Sequence, residues 1–306
     1  MIIECVANVS EGRDARALAA VAEAIRAVPG AHLADVHSDP DHHRSVFTFL
    51  GAPAPVEAAA LALAQAALPR IDMREHHGLH PRLGALDVVP FVPLGATPMT
   101  VAVGVARRVG AALAERHALP VYFYGAAALS PARRELPDVR RGGYEALPAR
   151  LGTPAGAPDA GPARFDARTG AAVVGAREIL VAYNVWLDTA DLEIARAVAR
   201  AVRERDGGLP AVRALGVPLL SRGLVQVSLN LVDYRVTPLP AVFDRVAHEA
   251  SRHGVAVRRG ELVGLAPVAA FGNRTPVSVG LAEFTEAGDL DAHVARIRRA
   301  ASGDRR

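Results

Sequence analysis

The sequence contains no lysine, so the 35 residues that are Lys or Arg are all arginine. Schiff-base chemistry, a pyridoxal-phosphate lysine and a Walker-type phosphate loop all need lysine and are therefore excluded. Arginine engages carboxylates through a planar fork, which favours recognition of acidic small molecules. The formal net charge of +3 is small for 306 residues, and no basic stripe interleaved with aromatic residues occurs. We therefore expect no nucleic-acid partner.

Cysteine and long apolar runs are also scarce. The single cysteine, Cys5, cannot form an internal disulfide, which fits a reducing cytoplasm, and its strand-like surroundings predict an inert core thiol. No run of roughly 18 apolar residues without charge occurs, so we expect no transmembrane helix and no membrane partner. The first residues lack the basic and apolar regions of a signal peptide. A chain of 306 residues is expected to form about two domains.

The most informative polar segment is Ile71–Asp87, which holds three His, two Arg and three carboxylates just before the apolar run 88–92. Its Gly and Pro residues indicate a loop that leads into a buried strand. His80 is the best candidate for a general acid/base, because imidazole exchanges protons near neutral pH. The alternative is a polar connection whose histidines only solvate the loop.

A second polar segment, residues 35–44, places three His and three Asp within nine positions. Such a cluster raises the hypothesis of a metal site. Strand alternation would put Asp35 and His37 on one face, however, and Pro40 then turns the chain away. We therefore favour a polar loop at the rim of an active site and expect no metal.

The chain divides into two similar halves, each with the order strand–helix–strand–strand–helix–strand. In the first half we predict strands at 2–9, 32–37, 45–50, 86–92 and 121–124, and helices at 14–28, 55–68 and 99–116. In the second half we predict strands at 178–186, 211–219, 224–234 and 256–262, and helices at 189–205 and 239–251.

This pattern predicts an α+β fold of two ferredoxin-like subdomains, residues 1–176 and 177–306, with a ligand cleft between them. The first includes a connector at 151–169 that is rich in Gly, Pro and Ala and that, on composition alone, would be an interdomain linker. Asn8 and Asn184 lie near the ends of the two opening strands and hint at an internal duplication.

Ordered motifs run from residue 4 to about residue 267. Ile71-Asp72-Met73 precedes the pattern Gly-x-His-Pro-Arg-x-Gly-Ala-Leu-Asp-Val at 78–88. Residues 4–13 are close to the pattern Glu-Cys-Val-Pro-Asn-Phe-Ser-Glu-Gly, with departures at Ala7 and Val9. Further matches lie at 120–125, 144–148, 158–162, 175–177, 182–184, 226–231 and 262–265. Together these motifs resemble the formiminotransferase domain family.

The resemblance implies a folate-dependent transferase of one-carbon metabolism and histidine catabolism. Such an enzyme moves a formimino group from N-formimino-L-glutamate to tetrahydrofolate, giving 5-formiminotetrahydrofolate and glutamate. His80 would be the general acid/base, tetrahydrofolate the co-substrate, and neither a metal nor a covalent intermediate would be needed. The resemblance also implies a cytoplasmic homodimer, and we expect a monofunctional form without the cyclodeaminase domain that some relatives carry.

The same resemblance suggests substrate-binding residues. Those expected to contact formiminoglutamate or folate are Asn8, His37, Arg44, Arg82, Asp87, Tyr124, Asp159, Gly161, Pro162, Asn184 and Asn230. Arg44 and Arg82 lie inside matched motifs and are the first choices for carboxylates. The looser candidates for the folate tail are Arg133, Arg134 and Arg140. Asp87 could pair with an amidinium or cap a strand edge, and 158–162 resembles a folate-binding segment.

Two departures from the family pattern leave other functions open. His37 stands where the family usually has an acid, and His43 stands where it has Asn. If the acid orients the catalytic His in relatives, His37 cannot do so in the same way. Formyl transfer between 5-formyltetrahydrofolate and glutamate is therefore an alternative. A non-catalytic folate-binding protein on the same scaffold is another, although a binding module has no need of His80 as an acid/base group.

Overall fold

The computed structural model describes residues 1–78 and 80–302 and divides into two compact units. The first is Met1–Arg177 and the second begins at Glu178. Each unit is of mixed α+β type and has its own β-sheet. Within the described residues, no helix is long and apolar enough to span a bilayer.

The first unit contains six strands and five helices among its described residues. The strands are β1 (Ile2–Val9), β2 (Ala31–Asp39), β3 (Arg44–Gly51), β4 (Leu86–Leu94), β5 (Val121–Gly125) and β6 (Ala172–Ala176). The helices are α1 (Ala15–Arg26), α2 (Pro53–Ala67), α3 (Met99–His117), α4 (Leu136–Val139) and α5 (Leu147–Leu151). The sheet order is β2-β3-β1-β4-β6-β5, antiparallel across β2, β3, β1 and β4 and parallel from β4 through β6 to β5.

Alternation along β1 decides which side chains face the core and which face the site. Ile3, Cys5, Ala7 and Val9 are fully buried in the cluster that packs under α1, α2 and α3. Successive strand residues point to opposite faces, so the even positions, including Asn8, lie on the other side of the sheet. The strand pattern therefore separates an apolar core face from a face that carries polar groups.

The second unit repeats the strand order of β1 to β4. Its described elements are β7 (Val181–Leu187), α6 (Leu192–Val202), β8 (Val212–Leu219), β9 (Leu224–Leu231), α7 (Leu239–Arg252), β10 (Val257–Val263) and α8 (Leu290–Ser302). The antiparallel sheet has the order β10-β7-β9-β8, which is equivalent to β4-β1-β3-β2. Its core face packs against α6 and α7.

The predicted order of elements is confirmed in both halves, but the first sheet is larger than predicted. Strand β6 was not predicted, because its five residues are buried on both faces and give no alternation. Helix α8 was also not predicted, and it buries only Leu290 and His293, so its apolar stripe is weak. The short α4 and α5 likewise have no counterpart among the predictions.

The segment predicted as a connector, residues 151–169, packs on the first unit and is not an extended tether. The Tyr122 hydroxyl donates to the Gly156 carbonyl over 2.7 Å. The Phe123 N–H donates to the Asp159 carboxylate over 2.8 Å. These bonds fix the segment along β5.

Candidate functional site

Antiparallel pairing brings several strand ends to one edge of the first sheet. Asn8 near the end of β1 is paired with both β3 and β4, and Asp39 at the end of β2 is opposite Arg44 at the start of β3. Asp87 lies in the first residues of β4, and the loop that carries His80 leads into that strand. The three polar motifs of the sequence therefore meet at this edge.

The hydrogen bond of His80 determines its tautomer. Nδ1 lies 2.8 Å from the carbonyl oxygen of Pro81. A carbonyl can only accept, so Nδ1 carries the proton and donates it. In the neutral ring the lone pair is then on Nε2. His80 is thus arranged as a base at Nε2.

The surroundings of His80 favour the neutral ring. Burial lowers the pKa of His80 well below its ordinary value, and the charges of Arg44, Arg140 and His42 lower it further. The bond to Pro81 opposes this shift only in part. A neutral imidazole near pH 7 can accept a proton from an attacking nucleophile.

Arg44 is a buried cation with a neutral partner. One Nη donates to the side-chain oxygen of Asn8, whereas Nε is buried with no hydrogen-bond partner among the described residues. Burial, followed by the charge of Arg140, lowers the pKa of Arg44 to about 10. A buried guanidinium is normally paired with an anion, so Arg44 is suited to a ligand carboxylate.

Asp87 connects the His80 loop to a second buried arginine. Its Oδ1 accepts from the Leu83 N–H over 2.9 Å, and its Oδ2 accepts from Arg140. Only 1% of Asp87 is exposed, and both of its carboxylate oxygens are bound within the fold. The Nε of Arg140 is buried without a hydrogen-bond partner among the described residues.

A second histidine pair holds the two polar loops together. The rings of His43 and His76 are stacked, with centroids 4.4 Å apart and an interplanar angle of 6°. His76 Nε2 donates to the His43 carbonyl over 2.8 Å, and its Nδ1 accepts from Arg82 Nε over 3.2 Å. Arg82 also pairs with Glu145 over 2.7 Å. The guanidinium of Arg82 is therefore already bound by a carboxylate of the chain, whereas that of Arg44 is hydrogen-bonded to a neutral amide.

Glu11 anchors the other side of this pair. Its Oε1 lies 3.1 Å from His43 Nε2 and accepts from the backbone N–H groups of Gly12, Arg13 and Asp14. Burial acts to raise the pKa of Glu11, but these N–H groups and His43 outweigh it, so the pKa is lowered. Glu11 thus places a negative charge at the Nε2 edge of the His43 ring.

The ring beside His80 belongs to His42. The two centroids are 5.9 Å apart and the rings are tilted by 50°. His42 Nδ1 lies 3.2 Å from the carboxylate of Asp39, which also accepts from the His42 N–H over 2.9 Å. His37 lies on the edge strand β2, opposite Val46, and is half-buried. The sequence had directed attention to His37, whereas the neighbouring imidazole is His42.

The folate-binding candidates of the first unit lie along β5. Asp159 forms a 2.5 Å ion pair with Arg133 in addition to its bond with β5, and Gly161 has a φ of +85° next to the Leu119 carbonyl. Pro162 is half-buried and Tyr124 is buried. Burial raises the pKa of Tyr124. Asp159 and Gly161 therefore have evident structural roles, and their contact with folate stays a prediction.

The candidates of the second unit differ from each other in exposure. Asn184 is buried, and its amide donates to Glu261 over 3.0 Å. Asn230 is exposed on β9, opposite Ala182 of β7 and Arg213 of β8. Their predicted role in substrate binding is not tested by these contacts.

Three contributors to the first-unit site were missed or undervalued by reasoning from the sequence. Glu11 lies in the motif at 4–13, and its position before Gly12 was the available signal. His42 could not be separated from its neighbouring histidines by spacing alone. Arg140 was considered only for the folate tail, whereas it is the partner of Asp87.

The histidine-rich loops do not form a metal cage. Within residues 1–78 and 80–302, no group of three or more His, Cys, Asp or Glu side chains is arranged to hold a metal ion. The polar groups are instead paired with one another, as in His42 with Asp39 and His43 with Glu11.

The sequence is similar to known proteins over most of its length. Residues 2–177 match the family described as formiminotransferase domain, N-terminal subdomain, and residues 182–275 match the formiminotransferase domain. A glutamate formimidoyltransferase of Thermoplasma acidophilum is 42% identical over 268 residues, covering 87% of this chain and 88% of that protein. One from Streptococcus pyogenes serotype M1 is 36% identical and covers 95% of this chain and 96% of that protein.

A longer relative is similar to this chain over about half of its own length. The formimidoyltransferase-cyclodeaminase of Sus scrofa is 43% identical over 276 residues, which are 88% of this chain but only 51% of that protein. The two family matches cover residues 2–177 and 182–275 and therefore span both units. The chain belongs to the formiminotransferase domain family.

Proposed function

We propose that this protein is a transferase that moves the formimino group of N-formimino-L-glutamate to tetrahydrofolate. The observation that carries the proposal is the contact of His80 Nδ1 with the Pro81 carbonyl, which leaves Nε2 as the acceptor of the neutral ring, in surroundings that lower the pKa of His80. Two buried guanidiniums, Arg44 and Arg140, lie close enough for their charges to act on it. A base beside cationic groups suits transfer from an acidic donor.

The reaction requires two proton movements at one carbon centre. N5 of tetrahydrofolate attacks the amidine carbon and a new N–C bond forms, which gives a tetrahedral intermediate. Nε2 of His80 accepts the proton that N5 loses and returns it to the nitrogen of glutamate as the old C–N bond breaks. The products are 5-formiminotetrahydrofolate and glutamate. No covalent bond to the enzyme is needed, and we expect no metal in the reaction.

Arg44 is our choice for a carboxylate of the donor. Its hydrogen-bond partner is the neutral Asn8 amide and its Nε has none among the described residues, so Arg44 keeps hydrogen-bonding capacity for an anion although Asp87 and Asp39 act on its charge from nearby. Arg82 was an equal choice on sequence, but its guanidinium is bound by Glu145 and His76. Arg140 supports the same region through Asp87. A carboxylate at Arg44 would also place negative charge near His80.

The proposal is tested by mixing the purified protein with formiminoglutamate and tetrahydrofolate. Acid treatment converts the expected product to 5,10-methenyltetrahydrofolate, which is detected by its absorbance. A parallel reaction with 5-formyltetrahydrofolate and glutamate tests formyl transfer. His80→Ala should abolish most turnover, and His248→Ala, at an exposed histidine of α7, is the matched control. Turnover only in the formyl reaction would replace the proposed donor.

We also propose a cytoplasmic homodimer, following the family resemblance and the lone cysteine. Tetrahydrofolate and formiminoglutamate would be its small-molecule partners. Light scattering coupled to size-exclusion chromatography measures the mass directly. A monomer at micromolar concentration would remove the dimer from the proposal without affecting the chemistry.

A further inference from the structure

The turn between β2 and β3 is built around the carboxylate of Asp39. Its Oδ1 accepts from the backbone N–H groups of Asp41 over 2.8 Å and of His42 over 2.9 Å. Its Oδ2 lies 3.2 Å from Nδ1 of His42, a residue that is only 7% exposed. One side chain therefore holds both the backbone and the ring of His42.

This turn packs closely against the His80 loop. A Cβ added at Gly78 would lie 2.3 Å from the His42 carbonyl oxygen, so no side chain fits between the two segments at this point. Arg13 bridges the same segments, because its Nε donates to a carbonyl of the turn over 2.9 Å and its Nη2 donates to the His77 carbonyl over 3.2 Å. The ring of His42 therefore has a defined position relative to the loop.

The rings of His42 and His80 pack against each other. Their centroids are 5.9 Å apart and the rings are tilted by 50°. Tilted aromatic rings pack favourably at centroid separations of about 4.5 to 7 Å. The hydrogen bond of His80 Nδ1 to the Pro81 carbonyl fixes one nitrogen but allows the ring to rotate about that contact. Packing on His42 therefore restrains the direction in which His80 Nε2 points.

The carboxylate of Asp39 also favours one tautomer of His42. It lies 3.2 Å from Nδ1, where a lone pair would face negative charge and a proton is attracted to it. In the neutral ring the lone pair is then on Nε2. Asp39 thus acts on the His42 ring as the Pro81 carbonyl acts on the ring of His80.

We propose that Asp39 and His42 are a pair of positioning residues for the transfer. Asp39 holds the ring of His42, and this ring holds Nε2 of His80 toward the nitrogens that exchange the proton. The inference rests on the proposed function and deepens it, because it assigns to two further residues a role in the same reaction. Both residues act through His80, and neither exchanges a proton with the substrate.

Asp39→Asn is the main variant. The amide oxygen can still accept the two backbone bonds of the turn, whereas the negative charge beside His42 Nδ1 is lost. On the pH plateau of the rate, kcat should fall by about threefold to tenfold, the loss expected for one polar contact. KM for formiminoglutamate should not rise, because Arg44 stays in place and loses one of the two carboxylates that act on its charge.

Two outcomes of this comparison would contradict the proposal. Arg44 ends the same turn, so a raised KM in Asp39→Asn would show that the turn itself had been lost. Asp41→Asn makes the same change of charge in the same turn and should leave kcat nearly unchanged. An equal fall of kcat in Asp41→Asn would show a general effect of charge.

The His80→Ala background separates positioning from general damage. Without His80 there is no ring left to position, so adding Asp39→Asn should not lower the residual rate of His80→Ala any further. A second fall, by the factor seen in the wild-type background, would mean that Asp39 acts independently of His80.

Variants of His42 test the ring contact without changing the bonds that Asp39 makes to the turn. His42→Ala removes the ring, and its kcat on the pH plateau should fall by about threefold to tenfold, as for Asp39→Asn. His42→Phe keeps an aromatic ring that can pack on His80 and should recover most of this loss. Equal losses in His42→Ala and His42→Phe would show that packing of this ring does not orient His80.

A measurement without substrate keeps this inference separable from the proposed function. Nitrogen-15 NMR of histidine-labelled protein at pH 9, where imidazoles are mostly neutral, reports which ring nitrogen carries the proton. The His42 signals, assigned by their loss in His42→Ala, should show the proton on Nδ1 in wild type and on Nε2 in Asp39→Asn. If wild type transfers the formimino group but the tautomer is the same in both proteins, this inference alone fails. If the tautomer changes but wild type transfers no formimino group, the proposed function alone fails.

Discussion

Two histidine pairs at one sheet edge illustrate how the same side chain can hold a fold or be available for chemistry. His43 and His76 are stacked and bound by Glu11, Arg82 and a backbone carbonyl. His42 and His80 are tilted and farther apart, and the proton on His80 Nδ1 leaves a lone pair at Nε2. The first pair joins two loops, and in the second we propose that Nε2 of His80 is the proton acceptor.

The two pairs also differ in their charged surroundings. His43 and His76 each have a pKa lowered first by burial, but a carboxylate or carbonyl counteracts the effect. The pKa of His80 is lowered first by burial and then by the charges of Arg44, Arg140 and His42, which together outweigh the opposing bond to the Pro81 carbonyl. A ring that is neutral for this reason responds to an incoming anion, because the anion offsets the arginine charge. This difference is why we propose His80 for the proton transfers and assign the stacked pair to the structure.

The largest effect is expected at His80. His80→Ala should lower kcat by roughly two to four orders of magnitude, because the proton acceptor is lost. Folate affinity should change little. Steady-state kinetics and a binding titration measure the two effects separately. A variant that keeps more than about a tenth of the wild-type rate would assign the proton transfers to another group.

The comparison of Arg44 with Arg82 sharpens the same contrast. Arg44→Gln should raise KM for formiminoglutamate by about tenfold to a hundredfold, the loss expected for a charge-assisted bond to a carboxylate. Arg82→Gln is the matched control, because Arg82 is bound by the exposed Glu145 and lies in the same motif. Its effect on KM should be several times smaller. Equal effects of the two substitutions on KM would remove the special role of Arg44.

The stacked pair should influence stability more than rate. His76→Gln should lower the free energy of unfolding by about 1 to 3 kcal/mol at pH 8, since it disrupts a buried hydrogen-bonded contact between two loops. The lowered pKa of His76 sets the sign of the pH effect. Its contribution is fully present above the unfolded pKa of about 6.5 and is lost as pH falls through the folded value.

The difference in the free energy of unfolding between wild type and His76→Gln should therefore become smaller as the pH is lowered from 8. Urea unfolding at several pH values measures it, with the exposed His248→Gln as the control. A gap that widens at low pH would contradict the assigned protonation of His76. If His76→Gln lost much of its kcat but kept the wild-type free energy of unfolding, His76 would have a role in catalysis.

Much of this edge was predictable from the sequence, because its residues lie in compact motifs. The segment 71–87 already indicated His80, and the motif at 4–13 already indicated Asn8 near the end of its strand. The partners of these residues were not predictable, since Asp87 finds Arg140 at a distance of 53 positions along the chain. Spacing also could not separate His42 from His43, because neighbouring residues in a turn diverge in direction. Local patterns therefore predicted which residues lie at this edge, and long-range packing determined their partners.

A smaller effect is expected at His42. Its charge contributes to the lowered pKa of His80, so His42→Gln should let that pKa rise. The acidic limb of the rate profile should then move to higher pH, by less than about one unit. His43→Gln is the control at the adjacent residue, and the acidic limb of its rate profile should move less than that of His42→Gln. An acidic limb that shifts to lower pH in His42→Gln would reverse the assigned interaction.

The smallest effect is expected at His37, where the family pattern has an acid. His37→Asp adds a negative charge on the same strand face as Asp39, two residues closer to the middle of β2. A negative charge favours the protonated form of His80, so the acidic limb should again move toward higher pH. The shift should be smaller than for His42→Gln, because the ring beside His80 is His42, with centroids 5.9 Å apart. Rate profiles of both variants from pH 5 to pH 9 make the comparison. A larger shift at His37 would mean that this side chain, and not His42, sets the charge of the catalytic ring.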